Sequence, residues 1–131
     1  RRAVFDDHLE ITRYRELSAS YPFAYGFILN TSSDDDDGID CYILTNKIIK
    51  VGMILDCVPI GLLEQLENDE VDSKVICLLT DDDFNFDQVH IQQIKDFILQ
   101  IFKKFPEVKI QFGEFKDKSF AINYINERSI S

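Results

Sequence analysis

The sequence predicts a mainly β protein in which a small barrel is flanked by helices. Several short apolar or alternating segments occupy the first 80 residues, and turn-forming or acidic residues separate them. A 3.6-residue apolar period is found only after residue 87. Because strands come first and helices are gathered late, the pattern favours a barrel with added helices over an alternating βαβ sheet.

The strands are predicted from alternation and from β-favouring residues. Residues 2–15 are predicted to be extended because side chains alternate in character from Leu9 to Arg13. The aromatic segment 21–28 contains a proline and a glycine that disfavour a helix, so we predict a turn followed by a strand. Further strands rich in Ile, Leu, Val and Cys are predicted near 41–45, 52–60 and 75–80, and the segment 61–74 is predicted to become an acidic loop.

A long helix is predicted at about residues 88–105. Asp87 is placed as its N-cap, and Pro106 ends it. Its apolar face is formed by residues at helical spacing, which are Ile91, Ile94, Ile98, Ile101, Phe102 and Phe105.

The C-terminal part is predicted to add one strand and one short helix. Residues 108–112 alternate as a strand does. Residues 119–128 are predicted to form the helix, with Phe120, Tyr124 and Ile125 facing inward.

Length and charge limit the classes of function. At 131 residues the chain is predicted to be a single domain, residues 1–131. Its net charge of −10 disfavours binding to nucleic acids or anionic membranes, since these partners are also negative. An acidic protein that handles an anion needs metal ions between the two charges. No leader peptide or long apolar stretch is found, so a cytoplasmic location is expected.

The three cysteines are predicted to be buried small residues. Cys41, Cys57 and Cys77 each lie in an apolar run and form no CxxC pair, which is the pattern of core packing in a reducing compartment.

An acidic segment at residues 34–40 is the most unusual part of the chain. It contains five carboxylates in seven residues, four of them consecutive. Two interpretations remain open from these residues alone. One is a solvated turn, because Asp and Gly form turns and charge runs usually face water. The other is a divalent metal site, because crowded carboxylates need a counter-charge and hard cations take oxygen ligands.

Four short motifs occur in a fixed order along the chain, and together they resemble a known family. They are Tyr-Pro-x-x-Tyr-Gly-Phe at 21–27, Asp-x-Asp-x-x-Asp at 35–40, Pro-Ile-Gly at 59–61 and Asp-Ser-Lys at 72–74. In this order the set resembles the soluble family I inorganic pyrophosphatases. The resemblance implies a five-stranded OB-like β-barrel with helices packed against it, several Mg²⁺ ions and hydrolysis of pyrophosphate to two phosphates. It also implies a homo-oligomer, and it favours the metal-site interpretation of residues 34–40.

The resemblance implies a role for each matching residue. Asp35, Asp40 and Asp72 would be metal ligands, and Asp37 would be the general base on the attacking water. Substrate-binding residues would be Lys74, Lys103 and Tyr25, with Arg13 or, if two residues are deleted in the loop, Arg15. Asp34 and Asp36 are left without a role.

The chain also departs from the family pattern. Glu67 stands where the family has an Asp metal ligand, and Phe102 replaces the Tyr that precedes Lys103. The family's N-terminal Lys and Glu positions fall before Arg1 or onto it. Two hypotheses follow, a Mg²⁺-dependent inorganic pyrophosphatase and a pyrophosphatase-like metal- or anion-binding scaffold with impaired turnover. Nucleic-acid binding by an OB-fold is disfavoured by the acidic charge.

Overall fold

The structure, a computed structural model, is strand-rich with two helices. It describes residues 2–5, 23–32, 38–50 and 52–129, with residues 2–5 described by their backbone. The strands are β1 (Arg2–Phe5), β2 (Ala24–Ile28), β3 (Ile39–Leu44), β4 (Ile54–Glu67), β5 (Glu70–Val71), β6 (Lys74–Leu79) and β7 (Ile110–Lys116). The helices are α1 (Gln88–Phe102) and α2 (Lys118–Glu127). The predicted mainly β fold with late helices is confirmed, and the predicted extension of the first strand beyond residue 5 lies outside the described residues.

Five strands pair in a cycle that begins and ends at β1, in the order β1, β2, β3, β6, β4 and β1. β1 pairs antiparallel with β2 on one side and with β4 on the other. β2 pairs antiparallel with β3, β3 pairs parallel with β6, and β6 pairs antiparallel with β4. β5 and β7 also pair with β4. This connectivity is compatible with the five-stranded OB-like barrel, whose finer geometry stays a prediction.

Strand β4 is longer than predicted, because it runs to Glu67 instead of ending near residue 60. It continues because Leu62 and Leu63 are both buried, each in a different hydrophobic core. The chain turns only at Asn68 and Asp69, whose φ angles of 52° and 68° are tolerated by these two residue types. The predicted loop therefore begins about seven residues later than expected, which places Gln65 inside a strand.

Two hydrophobic cores lie on the two sides of the sheet. Helix α1 covers one of them, in which Tyr25, Tyr42, Leu63 and Ile76 are buried. Helix α2 covers the other, to which it contributes Ala121 and Ile125. The first core adjoins a polar cluster, because Tyr25, which is buried in this core, accepts a hydrogen bond from Lys74.

The three cysteines are buried in the second core and are free thiols. The pKa of the Cys57 thiol is raised by its hydrogen bond with Cys77 and by burial. The pKa of the Cys77 thiol is raised by its hydrogen bond with Cys41 and by burial. The predicted packing role is confirmed, since a buried thiol with a raised pKa is a poor nucleophile.

The helices follow their sequence patterns with one exception. Asp87 is the N-cap of α1 as predicted, and the helix ends at Phe102, three residues before the predicted end. Phe120 was predicted to face inward in α2, but this is wrong, because its side chain is 41% exposed. Ile125 is buried as predicted, and Ala121 is buried in place of Phe120. The Phe120 ring instead lies near Lys116, whose Nζ is 5.4 Å from the ring centre. Within the described residues, neither helix is long and apolar enough to cross a membrane.

Replacing Gly61 with Ala is expected to lower the free energy of unfolding by about 1–3 kcal/mol. A Cβ atom at Gly61 would meet the Phe115 ring and would lie 2.7 Å from the carbonyl oxygen of Lys116. Because that carbonyl belongs to the backbone of β7, the strand would have to move away from β4. Urea denaturation of the two proteins measures the loss.

Gly113→Ala is the matched control on the facing strand. Two of the three atoms nearest to its added Cβ, Oε1 and Cδ, belong to the flexible end of the Glu64 side chain, and the third, Glu64 Cβ at 2.9 Å, is farther away than the closest contacts at Gly61. We expect a smaller loss for Gly113→Ala than for Gly61→Ala. Equal losses in the two variants would contradict the steric role assigned to Gly61.

Candidate active site

A buried lysine organises the candidate site. The Lys74 side chain is 2% exposed, and its Nζ lies 2.8 Å from Asp40 Oδ2 and 3.1 Å from Asp72 Oδ2. Lys74 Nζ also donates a hydrogen bond to Tyr25 Oη at 3.2 Å. An ammonium group has three donor hydrogens, so these three oxygens match its full hydrogen-bonding capacity.

The strand arrangement explains why these residues meet. The parallel strands β3 and β6 begin side by side, because Cys41 of β3 pairs with Val75 of β6. Asp40 and Lys74 each precede one of these paired residues, so they lie at the same edge of the sheet. Asp72 lies two residues before Lys74, and alternation along an extended chain brings it to the same face.

Tyr25 reaches the cluster from β2. It is 5% exposed and packs edge-on against Tyr42, with ring centroids 5.0 Å apart. Lys74 Nζ lies 5.5 Å from the centre of the Tyr25 ring. Together with the 3.2 Å hydrogen bond to Oη, this distance places the ammonium beyond the hydroxyl group, so the tyrosine supplies an oxygen acceptor to it.

The cluster carries more negative than positive charge. One ammonium is shared by two carboxylates, Asp40 and Asp72, which are 24% and 25% exposed. Pairing offsets the cost of burying the lysine charge, and about a quarter of each carboxylate side chain stays exposed to solvent. Partly exposed carboxylate oxygens beside one another are the donors that hard divalent cations prefer. The donor set therefore fits such a cation.

The described residues bring together some of the predicted site residues but not all. Glu67 is half-buried at the end of β4, and Lys103 is exposed just after α1. Among the described residues, no ion pair or hydrogen bond joins either of them to Lys74. Phe102 is buried beside Phe105, with ring centroids 6.3 Å apart, so it packs in the core.

Four of the predicted site residues lie outside the part of the chain that the structure describes. Arg13, Arg15, Asp35 and Asp37 lie outside the described residues, as do their neighbours Asp34 and Asp36. In the described part of the chain, no three His, Cys, Asp or Glu side chains converge as metal ligands. The roles assigned to these residues stay predictions.

Two residues near the cluster were missed in the sequence. Tyr42 was treated as part of an apolar run, yet its ring packs on Tyr25. Gln65 was assigned to a loop, yet it is 3% exposed inside β4. The only signal for Gln65 was its place two residues after Leu63 in an apolar segment, which alternation could have extended.

The fold and this cluster define the class of protein. It is a strand-rich protein in which one buried lysine bridges two carboxylates at the point where β3 and β6 begin side by side. The model of the inorganic pyrophosphatase family matches residues 5–130, so the chain belongs to that family. The identity is 34% over 68 residues to the inorganic pyrophosphatase of Aquifex pyrophilus, covering 52% of this chain and 38% of that protein. It is 31% over 108 residues to that of Rickettsia typhi, covering 82% of this chain and 58% of that protein. The chain thus spans less than two thirds of the length of either relative.

The fold is shared with solved structures. The inorganic pyrophosphatase from Neisseria gonorrhoeae superposes with a TM-score of 0.76 at 24% identity, covering 83% of this chain and 68% of that one. At this identity the likeness concerns the fold.

Proposed function

We propose that this chain hydrolyses inorganic pyrophosphate to two phosphates in the presence of Mg²⁺. The observation that carries the proposal is the position of Lys74, which is held between Asp40 and Asp72 at distances of 2.8 and 3.1 Å. These three residues belong to two motifs that are 32 residues apart between Asp40 and Asp72 in the sequence. Their convergence in a member of the inorganic pyrophosphatase family supports hydrolysis of a phosphoric anhydride.

The proposed cation ligands are Asp35, Asp40 and Asp72, with Glu67 as a further ligand. Support comes from the partly exposed carboxylates of Asp40 and Asp72, which offer oxygen donors on both sides of one ammonium group. When bound, a divalent cation neutralises part of the charge on the substrate and lowers the pKa of water. Without a cation, pyrophosphate would be repelled by a chain of net charge −10.

Proton transfer, charge stabilisation and phosphate binding are assigned to side chains of the chain itself. Asp37 takes the proton from the attacking water, since a carboxylate near a bound water can serve as a general base. Lys74 and Lys103 stabilise the charge that develops on the phosphoryl oxygens, and Arg13 or Arg15 binds phosphate. Tyr25 donates a hydrogen bond to phosphate, while the ring keeps its place against Tyr42.

A second candidate function is favoured by one observation. Phe102 packs in the core beside Phe105 and has no hydroxyl group, so this position offers no hydrogen-bond donor to phosphate. Loss of one donor to transition-state charge can cost on the order of 10²-fold in rate. A scaffold that binds metal or anion without appreciable turnover is therefore the alternative.

Wild-type protein is expected to release phosphate from pyrophosphate when Mg²⁺ is present and to stop when excess EDTA removes the cation. Release is measured colorimetrically, and binding of Mg²⁺ and of pyrophosphate by calorimetry. Binding of either one without release would select the scaffold function. Neither binding nor release would contradict both functions.

A further inference from the structure

Gln65 is a buried polar residue next to the candidate site. Its side chain is 3% exposed, and its Oε1 has no hydrogen-bond partner within the described part of the chain. Buried acceptors of this kind are rare in native proteins, and each calls for an explanation by a bound group or by function. By contrast, Gln111 on the neighbouring strand β7 is exposed.

The strand register places this side chain on the same face as the site. Leu63 of β4 pairs with Lys74 of β6, and directly opposite residues point to the same face of a sheet. Gln65 lies two residues after Leu63, and Asp72 lies two residues before Lys74, so both return to that face. The backbone agrees, because Asp72 N donates to Gln65 O at 2.9 Å.

The backbone of Gln65 already has a structural role. Its carbonyl accepts from Asp72 N, and its N–H donates to Ser73 Oγ at 3.3 Å. These two hydrogen bonds hold the segment that carries Asp72 and Ser73 against strand β4. The side-chain amide is not needed to hold Lys74, because Asp40, Asp72 and Tyr25 match the three donors of the ammonium group.

We infer that Gln65 is a positioning residue for the divalent cation at Asp72. Its Oε1 accepts a hydrogen bond from a water molecule in the hydration shell of that cation. Mg²⁺ keeps several of its waters when it binds to proteins, so an acceptor beside a carboxylate ligand orients the shell. A neutral amide does this without adding charge to a site already rich in carboxylates. This inference rests on the proposed function.

The test compares the Mg²⁺ affinities of three variants by calorimetry, with MgCl₂ alone as the probe. Gln65→Met keeps the side-chain length without an acceptor, and we expect its Kd for Mg²⁺ to rise about 10-fold or more. Gln65→Glu keeps an oxygen acceptor, so we expect a Kd equal to or lower than that of wild type. Gln111→Met is the matched control at an exposed position, and its Kd should equal that of wild type.

Thermal unfolding without Mg²⁺ separates positioning from packing. Removal of a buried acceptor without a partner should leave the Tm of Gln65→Met unchanged or raise it. If Gln65→Met and Gln65→Glu both lose Mg²⁺ affinity and both have a lower Tm, Gln65 is a packing residue and the inference is overturned. An unchanged Kd in Gln65→Met overturns it as well.

The proposed function can fail separately. If wild type binds Mg²⁺ and releases phosphate while Gln65→Met keeps the same Kd, only the role of Gln65 is wrong. If wild type neither binds Mg²⁺ nor releases phosphate, the proposed function is wrong, and this inference is overturned with it.

Discussion

Lys74→Met is expected to lower kcat/KM for pyrophosphate by about 10²–10³-fold, because the proposed function assigns to Lys74 the stabilisation of transition-state charge. It is also expected to lower the free energy of unfolding by about 2–4 kcal/mol, since Asp40 and Asp72 lose the buried ammonium that lies between them. Asp40 and Asp72 are about a quarter exposed, so water partly screens them and the loss stays below the upper end for fully buried pairs. Urea denaturation and phosphate release measure the two effects.

The stability loss in Lys74→Met has a further signature. Asp40 and Asp72 both lie within hydrogen-bond distance of the same nitrogen, so without it two like charges lie near each other with no ammonium between them. Added Mg²⁺ should therefore restore part of the lost stability, since a ligand that binds only the folded state stabilises it. A variant whose stability does not respond to Mg²⁺ would show that these carboxylates do not hold a cation.

Lys116→Met is the matched control for Lys74→Met. Lys116 also forms an ion pair, with Nζ 2.7 Å from Glu114 Oε2, but its side chain is 32% exposed and that of Glu114 is 76% exposed, whereas that of Lys74 is 2% exposed. Exposed pairs contribute little to stability, so we expect urea denaturation and phosphate release of this variant to match wild type. If Lys74→Met and Lys116→Met lose equal amounts of stability and activity, the burial of Lys74 does not explain its contribution to either.

Because we propose Asp37 as the general base, Asp37→Asn is expected to lower kcat by about 10²–10⁴-fold, the range that such a base contributes. An amide cannot accept the proton of the attacking water, although it nearly preserves the size of the side chain. Asp37 lies three residues before Asp40, which belongs to the Lys74 cluster. Steady-state phosphate release measures kcat, and calorimetry with MgCl₂ should show cation binding close to that of wild type.

Asp34→Asn controls for charge in the same segment. It removes one negative charge three residues before Asp37 but changes no residue with an assigned role. We expect its kcat to stay within about threefold of wild type, because we propose no role for Asp34 beyond its charge, and salt screens a charge effect of this kind. Equal losses in Asp34→Asn and Asp37→Asn would mean that total charge matters here and that no single carboxylate is the base.

The spacing of apolar residues predicted correctly those elements in which this spacing alone identifies the buried face. In α1, apolar residues such as Ile94, Ile98 and Ile101 recur at helical spacing and are buried against the sheet. The same reasoning was wrong for Phe120, because the choice between Phe120 and Ala121 depends on which residue faces β4. Helical spacing identifies a stripe of residues, but tertiary packing sets where that stripe is centred.

The boundary of β4 shows the same limit for strands. Glu64, Gln65 and Glu67 give the segment the composition of a loop, and local composition predicted one. The segment is a strand because β6 and β7 pair with it on both sides. Backbone hydrogen bonds to distant strands outweigh the weak preferences of polar residues for loops.

The order of the four motifs, read from the sequence alone, determined the family and the residues to examine, because motif spacing is a property of the chain itself. Only the tertiary structure decided that Asp40, Asp72 and Tyr25 share one buried ammonium and that Gln65 lies beside them. The physical reason is strand register. Residues 32 or 49 positions apart become neighbours through hydrogen bonds between strands, and no local pattern encodes those partners.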